Sequence, residues 1–245
     1  MKTENRFRVG IYIDGYNLYY GGKTLFPRGN WKWLDVRKLV CSQFPRHEPW
    51  GDAEVKRVLY FTSEVTNSPE TLRRQQAYLE ALRIHDSVDY IVYGKFKSFK
   101  DENYAVTGHY TKFKKVSMAI DPLPNEDWVQ LDSENFIKVS HQRNEEKGSD
   151  VNLASHLLID LLTDQLDAAV VVSNDADLAY PISYARTRIP VGVINPRGGK
   201  TAGDLKGSPS DGVGDHWWYS LKAEDFLAAQ LPDNVEGVTR PETWN

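Results

Sequence analysis

The stretch 8–18, Arg-Val-Gly-Ile-Tyr-Ile-Asp-Gly-Tyr-Asn-Leu, constrains this chain more than any other. Val9, Gly10, Ile11, Tyr12 and Ile13 run together without polar alternation, which suits a strand buried on both faces of a parallel sheet. The run ends in Asp14, and Gly15 turns the chain. Open α/β sheets bind their ligands in the crevice outside the carboxyl ends of the strands. Asp14 and the short amide Asn17 therefore stand either at the mouth of a site or as ordinary turn residues, a role both types commonly take.

The same pattern recurs along the chain. Glu54 to Phe61 and Val88 to Gly94 read as second and third strands, separated by a helix over Pro69 to His85. Asp35 caps a shorter helix with Val36, Leu39, Val40 and Phe44 in phase. Asp167 to Ser173 and Ile189 to Asn195 supply the fourth and fifth core strands. Strands alternating with helices predict an α/β domain whose parallel strands are joined by crossovers. Tyr19 to Trp33 reads as irregular. Within it Gly21-Gly22-Lys23-Thr24, echoed at Gly198 to Thr201, looks like the end of a phosphate-binding loop, but Asn17 and Ile194 occupy the place of that pattern's opening glycine.

Regularity breaks between Lys95 and about Asn135. A cluster of Lys95, Lys97, Lys100, His109, Lys112, Lys114 and Lys115 is interleaved there with Phe96, Phe99, Tyr104, Tyr110 and Phe113. Cations on phosphates and rings on bases are how proteins hold a single-stranded nucleic acid. An amphipathic hairpin with its lysines on the wet side fits the same letters. Phe136 to His141 reads as a short returning strand, and Gln142 to Ser149 as a polar loop. One domain over 6–220 is expected, interrupted by this insertion at about 95–135. Pro196 to Gly214 reads as a mobile loop, His216 to Tyr219 as an extended segment on the sheet edge, and 221–245 as a short helix with a disordered tail.

Carboxylates gather at the predicted strand ends. Asp150 opens a helix in phase with Ala154, Leu157 and Leu161, which puts it on the buried side, where an unpaired charge is expensive. Ser173-Asn174-Asp175-Ala176-Asp177 follows the fourth strand. A helix cap explains one of those acids; it does not explain two of them together with Asp14 and Asp150. If the first and fourth strands are neighbours, Asp14, Asp150, Asp175 and Asp177 converge, and such a group cannot all ionise cheaply without a cation. Oxygen-only ligands select Mg²⁺ or Mn²⁺. Such an ion activates water and stabilises the departing oxygen of a phosphodiester.

Tyr12-Ile13-Asp14-Gly15-Tyr16-Asn17-Leu18, Glu146-Lys147-Gly148-Ser149-Asp150-Val151-Asn152-Leu153-Ala154 and Ser173-Asn174-Asp175-Ala176-Asp177-Leu178 resemble three motifs of the NYN-domain family, the LabA-like branch of PIN-like nucleases. The resemblance runs from about Arg6 to Asn195. It implies a PIN-like Rossmannoid three-layer sandwich with strand order 3-2-1-4-5. It also implies a metal-dependent ribonuclease with Asp14, Asp150, Asp175 and Asp177 on Mg²⁺ or Mn²⁺. Asn17, Ser173 and Asn174 would orient the site and Lys147 would meet phosphate. Lys95, Lys97, Lys112, Lys114 and Lys115 would guide the strand. The expected partner is single-stranded RNA, with DNA left open. The rival reading is a non-catalytic RNA-binding or scaffold protein that keeps the fold.

Composition narrows the field further. A formal net charge of −4 gives no global pull towards nucleic acid, so any such contact rests on a local patch. The single Cys41 excludes an internal disulfide and a Cys-based zinc site and fits a reducing compartment. No apolar stretch precedes Val9 and no run of about eighteen apolar residues occurs, so a cytoplasmic protein without a membrane partner is expected. A haloacid-dehalogenase-type phosphatase needs a second Asp where Tyr16 stands, and no dinucleotide glycine fingerprint follows the first strand. The sequence is silent on oligomeric state, and a homodimer is left open.

Overall fold

The computed structural model describes residues 6–65, 68–104, 106–107, 114–115, 129–131 and 136–244. They divide into a main body, 1–95 with 147–245, and a second unit, 96–146.

In the body, β1 (Arg8–Asp14) passes directly into α1 (Gly15–Leu25), followed by α2 (Val36–Cys41), β2 (Glu54–Thr62), α3 (Pro69–Ile84) and β3 (Tyr90–Tyr93). The second unit holds β4 (Lys95–Tyr104), β5 (Val106–Thr107), β6 (Lys114–Lys115), β7 (Val129–Leu131) and β8 (Ile137–Lys147). The body resumes with α4 (Ser149–Leu162), β9 (Ala168–Val172), α5 (Ala179–Arg186), β10 (Val191–Asn195), α6 (Gly203–Lys206), β11 (Trp217–Ser220), α7 (Ala223–Ala228) and the hairpin β12 (Asn234–Val235) and β13 (Val238–Thr239).

Six strands form one sheet in the order β11-β10-β9-β1-β2-β3, and every pairing in it is parallel. Successive side chains of a strand point to opposite faces, so the apolar runs divide between two cores. Val9, Ile11, Ile13, Val58, Tyr60, Val170 and Val172 pack with Trp33, Leu39 and Leu82 on one side. Tyr12, Leu59, Phe61, Val171 and Val193 pack with Leu153 and Leu157 of α4 and Ile182 of α5 on the other. The result is an α/β sandwich with helices covering both faces of the sheet. Among the described residues no helix is long and apolar enough to cross a membrane.

Four expectations are corrected. The stretch after Leu18 is helical to Leu25 rather than irregular. Two adjacent glycines argue against a helix, but a Cβ at Gly21 would strike the Pro196 carbonyl and one at Gly22 the Trp31 ring. Close packing dictates both residues there, which also explains the phosphate-loop decoy. The polar residues 142–147 continue β8 in a three-stranded sheet of order β4-β8-β7, where ladder pairing outweighs their polarity. Pro196 to Gly214 is anchored: Leu205 is fully buried and the Arg186 guanidinium donates to the Leu205 carbonyl at 2.6 Å and the Lys206 carbonyl at 3.1 Å. The supposed tail is structured as well. Trp244 meets Trp33 and Tyr78 at 6.2 and 6.0 Å between ring centroids.

In the second unit, Glu102 pairs with Lys138 and, at 3.5 Å, with Lys100. Lys138 holds the Glu102 carboxyl below its ordinary range. Part of the insertion's positive charge is thus neutralised locally. His109, Tyr110, Lys112 and Phe113 lie outside the described residues; Lys114 and Lys115 supply the backbone of β6, paired with β5.

Candidate active site

Asp14 ends β1 and caps α1, because an aspartate oxygen can accept from the free N–H groups of a first helical turn. Its Oδ1 accepts from the Asn17 N–H at 2.9 Å, and it is only 3% exposed. Val172 pairs with Ile13 across β9 and β1, so the following residue of each strand meets at the sheet's carboxyl edge. There Ser173 Oγ donates to Asp14 Oδ2 at 2.9 Å and accepts from the Asp175 N–H at 3.1 Å. Asp175 Oδ1 in turn accepts from the Asp177 N–H at 3.0 Å, capping the 3₁₀ turn Ala176–Leu178.

The amides tie the second rim together. Asn17 Oδ1 accepts from the Asn174 N–H at 3.1 Å, and Asn174 Oδ1 accepts from the Ala202 N–H at 2.8 Å. Asn195, fully buried at the end of β10, accepts from the Arg197 N–H at 2.8 Å and donates to the Gly199 carbonyl at 3.1 Å. Three neighbouring strands therefore end in side chains that clamp the next loop. The Asn195 clamp was missed by the sequence reading, although its signal, a short amide closing an apolar strand, is the one that marks Asn17 and Asn174.

Asp150 stands in the first turn of α4, partly buried. That helix begins at the same edge, since Asn152 Nδ2 lies 3.5 Å from the carbonyl of Tyr93, the last residue of β3. Lys147 precedes it and is exposed. The fully buried residues of α4 are Ser149, Leu153, Leu157, Asp160 and Leu161, which adds a second inward carboxylate, Asp160. Tyr12 Oη donates to it at 2.7 Å and Arg57 pairs with its other oxygen. Asp150 is in helical phase with Leu157 and Leu161 and is partly buried where the helix starts, beside the edge.

The structure thus joins Asp14, Asn17, Ser173, Asn174, Asp175 and Asp177 in one hydrogen-bonded chain and sets Asp150 on the same edge. Among the described residues no three His, Cys, Asp or Glu side chains stand close enough to make a ready metal cage. The donor set still matches a hard cation: carboxylate, amide and hydroxyl oxygens, with no sulfur or imidazole among them. Burial, then the negative charge of Asp14, holds the neighbouring Tyr60 hydroxyl above its ordinary pKa. Asp175 is half-buried and Asp177 exposed, so the edge opens to solvent on the β9 side.

Fold and site together define an α/β sandwich protein with an acid-and-amide clamp at the carboxyl edge of its parallel sheet. No protein-family model matches the chain. The sequence is 30% identical to the 6-hydroxy-3-succinoylpyridine 3-monooxygenase HspA of Pseudomonas putida (strain DSM 28022 / S16), over 97% of this chain and 75% of that protein. The chain belongs to the HspA family. A crystal structure of a protein of unknown function from Vibrio parahaemolyticus RIMD 2210633 superimposes with a TM-score of 0.47 at 16% identity, covering 94% of this chain and 100% of that one.

Proposed function

We propose that the protein is a metal-dependent nuclease that hydrolyses single-stranded RNA at the carboxyl edge of the sheet. One observation carries the reading: Ser173 ties the buried Asp14 carboxylate at the end of β1 to the backbone N–H of Asp175 beyond β9, so two acid-bearing segments meet at one edge. The strand order β3-β2-β1-β9-β10 supports a PIN-like assignment. Asp14, Asp150, Asp175 and Asp177 would hold Mg²⁺ or Mn²⁺. Such an ion, when bound, lowers the pKa of water and neutralises charge on a phosphate oxygen.

The chain's own residues divide the remaining work. Asn17 and Asn174 keep the loops that carry the acids from spreading. Asp177, exposed at the rim, would support the ion or assist the water. Lys147 offers a cation to phosphate beside the start of α4, and the lysines of the insertion, Lys95, Lys97, Lys112, Lys114 and Lys115, add backbone contacts to the strand. The test is cleavage of labelled single-stranded RNA and DNA with Mn²⁺ or Mg²⁺, comparing wild type with Asp175→Asn. RNA cleavage that EDTA and the substitution both abolish is the expected result. Intact RNA together with absent metal binding would favour an RNA-binding scaffold.

A second reading rests on the HspA relationship: one atom of dioxygen goes to a 6-hydroxy-3-succinoylpyridine-like substrate, and the other leaves as water with two electrons and two protons from an added reductant. Oxygen uptake on adding 6-hydroxy-3-succinoylpyridine and such a reductant, with formation of a hydroxylated product, would establish it.

A further inference from the structure

The outward side of α1 carries a row of aromatic and basic side chains. Its inward side is complete, with Leu18, Gly21 and Gly22 buried. Facing out at helical spacing are Tyr16, Tyr19, Tyr20 and Lys23, a single stripe that starts beside Asp14. Tyr16 is anchored, its hydroxyl donating to the Ser63 carbonyl at 3.0 Å. Tyr19 and Tyr20 are 41% and 50% exposed, and their rings meet edge-on at 5.5 Å.

Cations gather on these rings. Lys32 Nζ lies 5.7 Å from the Tyr19 centroid and 5.6 Å from that of Trp244, and Lys23 Nζ lies 5.9 Å from that of Tyr20. Burial, then the nearby charges of Arg74 and Lys23, holds the Lys32 ammonium below its ordinary pKa. In a chain of net charge −4, such a concentration of positive charge is local and selective. Large half-exposed rings flanked by crowded ammonium groups suit a ligand with flat faces and a regular run of negative charge.

We infer that this stripe is the track for a single-stranded nucleic acid, with bases stacked on Tyr19 and Tyr20 and phosphates against Lys23 and Lys32, leading the strand towards Asp14 and Asp175. The inference rests on the nuclease reading for the direction of the strand and not for the binding itself. Stacking on a ring tolerates any base, so the track selects single strands without selecting sequence.

Binding of a short fluorescein-labelled oligouridylate, followed by anisotropy in EDTA so that no cleavage intervenes, tests it. The Tyr19→Ala/Tyr20→Ala and Lys23→Glu/Lys32→Glu variants are each expected to bind about tenfold or more weakly. Tyr19→Phe/Tyr20→Phe keeps the stacking faces and is expected to bind like wild type, which separates a lost ring from a disturbed helix. Undiminished affinity in the alanine and glutamate variants overturns the track, as does a wild type that binds no RNA. A changed oligomeric state with unchanged RNA affinity also overturns it, in favour of self-association. Asp175→Asn separates the two claims. If it cleaves like wild type while the track variants lose binding, the catalytic reading falls and the track stands. If cleavage needs Asp175 while the track variants bind normally, the reverse holds.

Discussion

Ser173 Oγ donates to Asp14 Oδ2 at 2.9 Å while accepting the Asp175 N–H at 3.1 Å, so one hydroxyl joins the carboxylate that ends β1 to the backbone of the turn after β9. Ser173→Ala removes both bonds from a buried place. Leaving a buried partner unmatched costs about 1–3 kcal/mol, and the Asp175 turn is expected to loosen. The variant should show a lower urea midpoint together with at least a tenfold loss of RNA cleavage. A lowered urea midpoint with unchanged cleavage would mean that the hydroxyl serves the fold alone.

Asp160 anchors α4 to the sheet through Tyr12 and Arg57, far from the edge. Removing one member of a buried ion pair is costly, and Asp160→Ala is expected to destabilise by about 3 kcal/mol. Tyr12→Phe should cost only about 1 kcal/mol, since one hydrogen bond is lost and the packing stays. Chemical denaturation of both variants checks the ranking; equal effects would contradict it.

His216 gives the body an acid-sensitive point. It is buried, its Nδ1 accepts from the Val191 N–H at 3.0 Å, and burial holds it below its ordinary pKa of 6.5 despite the opposing pull of Asp211. With the folded pKa depressed, the unfolded chain binds the proton first. The stabilisation is therefore complete above 6.5 and lost as pH falls from there through the folded pKa. Melting temperatures from pH 7.5 down to about 5 should fall, and less steeply in His216→Gln.

Trp244 closes the core that Trp33 and Tyr78 begin. Trp244→Ala removes those ring contacts and one face of the Lys32 site, and should cost about 1–3 kcal/mol, within the range for partly exposed aromatics. A thermal melt within a degree or two of wild type would show that the segment rests on the body without supporting it.

The sheet was legible because each central strand is a continuous apolar run, and the site was legible where a polar cap follows such a run at once, as at Asp14 and Ser173. Other features depend on contacts that no local pattern carries. Gly21 and Gly22 look like helix breakers until Pro196 and Trp31 are set against them. Asp160 looks like a solvated acid until Arg57 arrives from another strand. Asp150 was legible from its phase with Leu157 and Leu161 and is partly buried, whereas the fully buried Asp160 gave no sign of its role because its partners come from other strands. Prolines and small polar residues made 196–214 and 232–244 look unstructured, yet one buried leucine in the first and one tryptophan in the second pin them down.

The proposed chemistry requires the acid edge to hold a hard cation, and electron paramagnetic resonance of added Mn²⁺ reads that binding without reference to cleavage. Wild type is expected to bind Mn²⁺ and release it to excess Mg²⁺, while Asp14→Asn and Asp175→Asn each bind far more weakly with the fold intact. Absence of binding in the wild type, or wild-type binding in both variants, would rule out a metal site at this edge.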